Sequence, residues 1–294
     1  MAFNTKTFIT RTLTAIVFVA VLLGGIMYNY WSFALLFLVV SVWGLYEFYQ
    51  LAEKLGAKPY KAIGLIAGGF LYTEHALASL ISYEFEVSSN LLMSLCFVFL
   101  FIIFLVALFD ERPNTILNTA YTFLGIIYAV IPFIILINIS NFVSSKEVYG
   151  LVEYTAINAG FNPHYVLGII LLIWLNDSAA YLVGSFIGKN KLYERISPGK
   201  TWEGTIGAAV ITMACSYIIS LWFQELAFIH WLVIALIVAV LGTAGDLVES
   251  MLKRQASVKD SGKIMPGHGG ILDRFDSLLF VSPFIYAYLQ LFCR

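Results

Sequence analysis

Charged residues are scarce in this chain of 294 residues: 12% are Asp, Glu, Lys or Arg, whereas 60% are apolar. A soluble domain carries about 25% charged residues, so the composition excludes that class and predicts a polytopic membrane protein. Cysteine is also rare. Cys96, Cys215 and Cys293 lie apart in apolar surroundings, without C-x-x-C spacing. A zinc site or a disulfide framework is therefore unsupported, and we interpret the three as packed core thiols.

Long apolar segments account for most of the chain, and no internal repeat, low-complexity linker or soluble domain separates them. A span needs about 20 apolar residues to cross the hydrocarbon core. We expect an all-α, polytopic transmembrane helical bundle of about nine spans. The first segment is interpreted as an uncleaved span rather than a signal peptide. The segments are 12–29, 31–51, 61–82, 90–109, 115–139, 165–187, 204–224, 228–250 and 271–292.

The basic residues predict an orientation. With a cytoplasmic N-terminus and alternating spans, all of the 17 Lys and Arg except Lys146 and Arg294 fall on the inner side, as the positive-inside rule requires. Residues 1–140 are then N-terminal transmembrane helices with a scaffold or oligomer-contact role. Residues 165–294 are expected to be the C-terminal transmembrane helices that carry the candidate site, with cytoplasmic loops 188–203 and 251–272.

We single out two of the carboxylates within apolar segments, where an acid is costly unless it is paired, protonated or metal-bound. Asp177 falls near mid-span, and Tyr181, Gly184 and Gly188 follow on the same helical face. That face suits close helix approach or a polar cavity; the alternative is a structural acid bonded to a neighbouring helix.

The second acid, Asp246, starts a polar stripe that continues through Glu249, Ser250 and Lys253. Asp273 comes 27 residues later, where the next span begins. Hard oxygen ligands facing a phosphate-bearing substrate suit Mg²⁺. The alternative for Asp246 or Asp273 is an ion pair with Lys253 or Arg274.

The stretch from Ser250 to Asp276 combines clustered charges with a Pro-Gly-x-Gly-Gly turn. Phosphates and divalent metals require such groups, although a solvated basic loop beside a membrane is the plainer interpretation. The pattern S-x-L-K-R-x4-K-D-x-G-x-x-x-P-G-H-G-G-x-x-D-R-x-D closely resembles the signature of the phosphatidate cytidylyltransferase (CDP-diacylglycerol synthase) family. Similar blocks are Ser197–Gly204 and Asn176–Tyr181, so the resemblance covers about residues 165–290.

The resemblance implies transfer of the cytidylyl group of CTP to phosphatidate, giving CDP-diacylglycerol and pyrophosphate in phospholipid biosynthesis. It implies metal ligation by Asp246 and Asp273, with Asp276 as a further candidate. The cofactor would be Mg²⁺, with a second cation for which K⁺ is the candidate. Catalytic roles are expected for Asp246, Asp273, Lys200, Lys253 and Arg254. Substrate contacts are expected from Ser197, Lys259, Asp260, His268, Gly269, Gly270, Arg274, Asp177 and Tyr181.

Several of these roles leave alternatives open. Lys253, Arg254 and Lys259 could hold the phosphates of CTP or the phosphatidate headgroup, or could instead anchor the protein to lipid headgroups. The block around Lys200 would, taken alone, be a loop with a helix cap; beside the other blocks we favour phosphate contact. His268 is expected to shape its turn or to donate to a phosphate, and a purely structural role is equally favoured. A general base is unnecessary, because a phosphate monoester with a second pKa near 6 is largely a dianion at neutral pH.

The expected partners are CTP, phosphatidate and membrane lipid, without nucleic acid, and a homodimer is left open. The expected location is the bacterial inner membrane, with the site facing the cytoplasm. Rival hypotheses are another lipid nucleotidyl- or phosphotransferase, a transporter that relays ions through Asp177 and Asp246, and a scaffold. The missing D-G-x-x-A-R opening argues against a CDP-alcohol phosphotransferase, and the missing repeat argues against a transporter.

Overall fold

The computed structural model describes residues 5–81, 89–142, 160–265 and 269–293. It is almost entirely helical, as its composition predicts. The helices are α1 Thr5–Met27, α2 Tyr30–Lys54, α3 Lys61–Ile81, α4 Ser89–Leu108, α5 Thr115–Ala129, α6 Ile131–Ser140, α7 Pro163–Ile187, α8 Trp202–Trp222, α9 Phe228–Ile237, α10 Thr243–Gln255 and α11 Leu272–Phe292. A π-helical turn, Val238–Gly242, joins α9 to α10.

Six helical segments of the described residues are long and apolar enough to cross a membrane. The prediction of a helical, membrane-type chain is therefore confirmed, while the count of nine spans stays a prediction. Shorter apolar helical segments run over Thr12–Met27 and Phe97–Leu108. The six candidate spans are Tyr30–Lys54, Thr115–Ser140, Pro163–Ile187, Trp202–Trp222, Phe228–Gln255 and Leu272–Phe292.

The chain forms two compact units, while the predicted roles of residues 1–140 and 165–294 stay predictions. The first contains residues 1–134 and 252–275; the second contains residues 135–251 and 276–294. The segment 252–275, which carries most of the signature, thus belongs to the same unit as the N-terminal helices.

Helix α2 is the centre of the first unit and packs against α1, α3 and α5. Its Tyr49 is fully buried, and the Tyr49 hydroxyl donates to the carbonyl of Thr122 at 2.9 Å. Gly64 and Gly125 leave room for this ring, since a Cβ at either position would overlap it. The bond satisfies the hydroxyl in an apolar interior, where an unpaired one would be costly.

An aromatic cluster fixes the beginning of α11 within this unit. Phe37 stacks on Phe133 with ring centroids 5.5 Å apart. Phe275 meets Phe133 edge-on at 5.7 Å and Phe18 at 6.0 Å. Such offset and edge-on pairs are the favoured aromatic geometries. Because Phe275 follows the signature acid Asp273 by two residues, this packing holds the acid's backbone in place.

The second unit is built around the close pair α7 and α8. Gly204 lies so near α7 that a Cβ there would be 2.8 Å from the carbonyl oxygen of Ala180 and 3.0 Å from the Cα of Gly184. The small-residue face predicted along α7 therefore does permit close helix approach. A difference from the all-helical expectation is a short antiparallel hairpin, β1 Lys191–Tyr193 and β2 Ser197–Thr201, just before α8.

Helices α10 and α11 also approach closely in this unit. A Cβ at Gly245 would lie 2.6 Å from the Cβ of Phe280 and 2.8 Å from the carbonyl oxygen of Asp276. The Ser277 hydroxyl donates to the carbonyl of Gly242, in the π-helical turn, at 3.1 Å. Single π-turns within helices frequently mark functional sites, and this one lies directly before the turn that carries Asp246.

Candidate functional site

The signature segment leaves α10 through a left-handed residue. Ser257 has φ 56°, and the Val258 N–H donates to the carbonyl of Lys253 at 2.9 Å. A left-handed residue at this point ends a helix and satisfies its last carbonyls. Of the residues that follow, 258–265 and 269–271 are described and lie outside helices and strands, apart from an isolated bridge between Met265 and Gly269, and α11 begins at Leu272.

Asp273 is the acceptor around which this segment folds. Its Oδ1 pairs with the Lys253 ammonium at 2.6 Å, and the two side chains are 7% and 11% exposed, respectively. Its Oδ2 accepts from the Gly270 N–H at 2.7 Å, and from the N–H and hydroxyl of Ser261 at 2.9 and 3.0 Å. An ion pair of Asp273 with Lys253 was one of the sequence alternatives. A buried charge with this many donors is well compensated.

Glu47 of α2 is a second buried acceptor, and the sequence interpretation missed it. Only 1% of this residue is exposed. Its Oε1 accepts from the Ile271 N–H at 3.1 Å, and its Oε2 accepts from the Leu272 N–H at 3.0 Å. The Ser261 hydroxyl lies 3.0 Å from Glu47 Oε2 and 3.0 Å from Asp273 Oδ2, so the two carboxylates share its single proton. The N-terminal half thus supplies an acid that bonds to the signature segment at Ser261 and again at residues 271 and 272.

Three glycines allow the segment to come this close to the two carboxylates. A Cβ at Gly262 or Gly270 would overlap the carboxylate of Glu47, and a Cβ at Gly269 would overlap that of Asp273. Gly269 also has φ +84°, a left-handed conformation that glycine adopts at little cost. The glycines are needed here for contact with protein carboxylates.

Lys200 and Asp246 form the corresponding pair of the second unit. The Lys200 ammonium lies 2.6 Å from Asp246 Oδ2, and the side chains are 24% and 32% exposed. Ser250, one turn after Asp246, donates its hydroxyl to Asp246 Oδ1 at 3.1 Å. This pair is more open than that of Lys253 and Asp273.

The β-hairpin that presents Lys200 is fixed at both ends. Thr201 caps α8, since its hydroxyl oxygen accepts from the Gly204 N–H at 3.2 Å. The carboxylate of Glu203 accepts from the Lys189 N–H at 3.1 Å and from the Asn190 side chain at 2.7 Å. A cap at this position was the alternative reading of the block; the structure shows the cap together with an ion-paired Lys200.

The other predicted site residues are distributed as follows. Asp177 and Tyr181 lie on an exposed part of α7, and Ser197 begins β2. Arg254 is exposed and donates to the carbonyl of Val258 at 3.3 Å. Lys259, Asp260 and Arg274 are exposed, and Asp276 Oδ1 accepts from the N–H of Ser277 at 2.6 Å. His268 lies outside the described residues.

The donor groups fit the predicted metal only in part. Within the described ranges, no three His, Cys, Asp or Glu side chains converge as a metal-binding group. Mg²⁺ nevertheless needs only one or two carboxylates when waters and substrate phosphates complete its shell. Asp246, part-exposed and paired with a flexible lysine, has the character of such a ligand. Asp273 does not, because Lys253, Ser261 and Gly270 already use both of its oxygens.

A further polar pair joins the beginning of α7 to the loop between α8 and α9 in the second unit. His164 Nδ1 bonds to Glu225 Oε1, and the His164 ring stacks on Phe223 with centroids 5.0 Å apart. Burial alone would raise the pKa of the Glu225 carboxyl. The hydrogen bond and the charge of His164 outweigh it, so that this pKa falls below its ordinary value.

Comparison with known proteins agrees with the signature. The model of the cytidylyltransferase family matches residues 9–292, so the chain belongs to the cytidylyltransferase family. It is 53% identical over 129 residues to the phosphatidate cytidylyltransferase of Bacillus subtilis (strain 168), covering 44% of this chain and 48% of that protein. It is 48% identical over 124 residues to the phosphatidate cytidylyltransferase of Staphylococcus haemolyticus (strain JCSC1435), covering 42% and 47%. The chain thus spans about half the length of the curated relatives it matches.

Proposed function

We propose that this chain transfers the cytidylyl group of CTP to phosphatidate, giving CDP-diacylglycerol and pyrophosphate. The observation that carries the proposal is the pairing of the two acids predicted as metal ligands with lysines predicted to be catalytic, Lys200 with Asp246 and Lys253 with Asp273. Membership of the cytidylyltransferase family and the names of its relatives support the same activity.

The reaction joins two polyanions. A phosphate oxygen of phosphatidate attacks the α-phosphorus of CTP, the new O–P bond forms, and the bond between the α-phosphorus and the bridging oxygen breaks to release pyrophosphate. Because both reactants are negative, rate enhancement must come from charge neutralisation and in-line placement. The clustered cations of the signature suit this task.

The burial of the cations divides their roles. Lys200 is part-exposed, and Arg254 and Lys259 are exposed, so all three can meet phosphate oxygens. Lys253 is buried against Asp273. Its predicted contribution to catalysis would therefore be to hold the Asp273 carboxylate in place. The arrival of the triphosphate would draw the Lys200 ammonium toward phosphate and free an oxygen of Asp246.

Asp246, with Asp276 as a further candidate, would hold Mg²⁺ in this proposal. The bound ion would polarise phosphate oxygens and neutralise charge on the leaving pyrophosphate. Metal ligation by Asp273 stays a prediction. It requires that at least the ion pair between Asp273 and Lys253 be broken, so that the freed carboxylate oxygen can bind the metal. K⁺ as a second cation is likewise a prediction.

We place the protein in the bacterial inner membrane, with nine spans, a cytoplasmic N-terminus and the signature segments at the cytoplasmic face. The distribution of Lys and Arg supports this orientation. The candidate spans and the bacterial relatives support a membrane location. A homodimer through the N-terminal helices remains a prediction.

The test is a transfer assay with purified protein in detergent, phosphatidate, Mg²⁺ and CTP labelled at the α-phosphate. We expect label in the lipid phase, and loss of the signal with EDTA. D246N should abolish turnover while the thermal unfolding midpoint stays near that of the wild type, and K58A should be nearly silent. No labelling by folded protein in several lipid mixtures would refute the activity. Near wild-type turnover by D246N at saturating Mg²⁺ would refute the metal assignment.

A further inference from the structure

A cleft of about 620 Å³ opens in the first unit between the last turns of α2 and the segment 258–264. Trp43, Tyr46, Gln50 and Lys54 line it from α2, together with the buried Glu47. The facing segment contributes Lys259, Asp260 and Lys263 among its residues. The cleft therefore combines two aromatic side chains with three lysines.

The lining has an excess of available positive charge. Lys54, Lys259 and Lys263 are exposed, and none of them forms an ion pair with any residue that the structure describes. The Glu47 carboxylate is turned away into its bonds with residues 261, 271 and 272. Asp260 is the other carboxylate of the lining. Lysines gathered around a concave surface attract an anionic ligand.

An exposed apolar face of α2 leads directly into this cleft. Leu35, Val39, Trp43 and Tyr46 are 62%, 57%, 42% and 37% exposed, and their spacing of four, four and three residues puts them on one side of the helix. Trp43 and Tyr46 belong to both the face and the cleft. Tryptophan, tyrosine and lysine at the end of a candidate span are typical of the level where lipid headgroups lie.

We infer that this cleft binds the phosphomonoester headgroup of a membrane lipid, whose acyl chains lie along the Leu35–Tyr46 face. A phosphomonoester carries about −1.5 to −2 charges at neutral pH, which matches three lysines better than the single charge of a phosphodiester lipid. Ser261 lies in the cleft wall and also donates to Asp273, so the headgroup would adjoin the signature segment. The binding of a phosphomonoester lipid in this cleft does not depend on the proposed function. The further step, that this lipid is phosphatidate bound as the substrate, rests on the proposed function.

The test measures lipid binding without turnover. The full chain is placed in phosphatidylcholine nanodiscs, and tryptophan fluorescence is quenched by dibrominated phosphatidate or, for comparison, dibrominated phosphatidylcholine and phosphatidylglycerol. W43F identifies the part of the signal that reports the cleft. The test variant is K54Q/K263Q. The matched control is K58Q/K189Q, which removes two exposed lysines outside the lining.

We expect K54Q/K263Q to weaken phosphatidate binding by about tenfold or more, because each lysine near an anionic headgroup contributes about 1 kcal/mol. The control should stay within about twofold of the wild type. Equal losses in both double variants, or equal quenching by phosphatidylglycerol, would overturn the inference. Loss of CTP binding with phosphatidate binding unchanged would also overturn it, making the cleft a nucleotide site. Absence of cytidylyl transfer by a wild-type chain that binds phosphatidate would refute the proposed function and leave this site standing.

Discussion

Replacement of Glu47 by glutamine tests whether the N-terminal half of the chain holds the signature segment in place. Glutamine keeps the size and one oxygen of glutamate, but it puts an NH₂ group where an oxygen now accepts. Oε2 accepts two bonds, from Leu272 N–H and the Ser261 hydroxyl, and Oε1 accepts one from Ile271 N–H. With the NH₂ group at the Oε1 position the variant loses one bond and opposes one donor, and with it at the Oε2 position the variant loses two bonds and opposes two donors.

The magnitude follows from the number of bonds. A hydrogen bond to a charged group contributes about 1.5–3 kcal/mol. E47Q loses one or two of these bonds, and the remaining ones are weakened because the charge is gone. The free energy that holds the segment against α2 should therefore fall by about 3 kcal/mol. Since about 1.4 kcal/mol is a factor of ten, displacement of residues 258–272 from α2 should become about 100-fold more frequent.

Two measurements separate this local effect from general destabilisation. Hydrogen exchange should show faster exchange of the amides of Ile271 and Leu272, with little change in the buried helices of the second unit. The transfer assay should show at least a tenfold fall in kcat. The matched control is E53Q on the same helix, since Glu53 is 46% exposed and paired with Lys61, and such surface pairs contribute about 0–1 kcal/mol. Wild-type exchange at 271–272 together with wild-type kcat in E47Q would refute the reasoning.

Two further predictions concern single sites. G270A and G262A should each reduce turnover strongly, because the added Cβ would overlap the Glu47 carboxylate. The control G199A should be silent in the same assay, because no atom lies within 4 Å of its Cβ position. Full activity of G270A would contradict the packing of the segment against Glu47. The folded-state pKa of Glu225 is lowered, so its interaction with His164 stabilises the fold above the unfolded pKa of about 4.3. That stability should be lost as pH falls through the folded pKa, and a thermal melt series should show a steeper acid decline for the wild type than for E225Q; parallel declines would contradict it.

The helices and the identity of the signature could be predicted from the sequence because both depend on local pattern. Apolar length predicts a span, and the structure has helices at all the predicted segments that it describes. The β-hairpin before α8 was missed because its strands, of three and five residues, contain no apolar alternation. The carboxylate of Glu203 bonds to Lys189 and Asn190 at the start of the hairpin, and these contacts join residues 13 and 14 positions apart.

The lysine partners of the signature acids could be predicted only partly. Lys253 was named as an alternative partner of Asp273, and this pair is present. Asp246 pairs with Lys200 instead, and these residues lie 46 positions apart in the chain. No sequence pattern specifies such a pair, because it depends on how the hairpin is held against α10.

Glu47 could have been found, since the rule that marked Asp177 and Asp246 applies to it equally. It is an acid within an apolar segment, and such acids are paired or functional by default. It was passed over because the signature lies more than 200 residues away and directed attention to the C-terminal half. Its position also adds a second role to the Gly-rich turn, which the sequence alone suggested as a cradle for phosphate. Gly269 and Gly270 of that turn, and Gly262 before it, admit the carboxylates of Glu47 and Asp273, while substrate contact by Gly269 and Gly270 stays a prediction. A glycine-rich signature therefore reports close approach of an anionic group, and that group can belong to the protein itself.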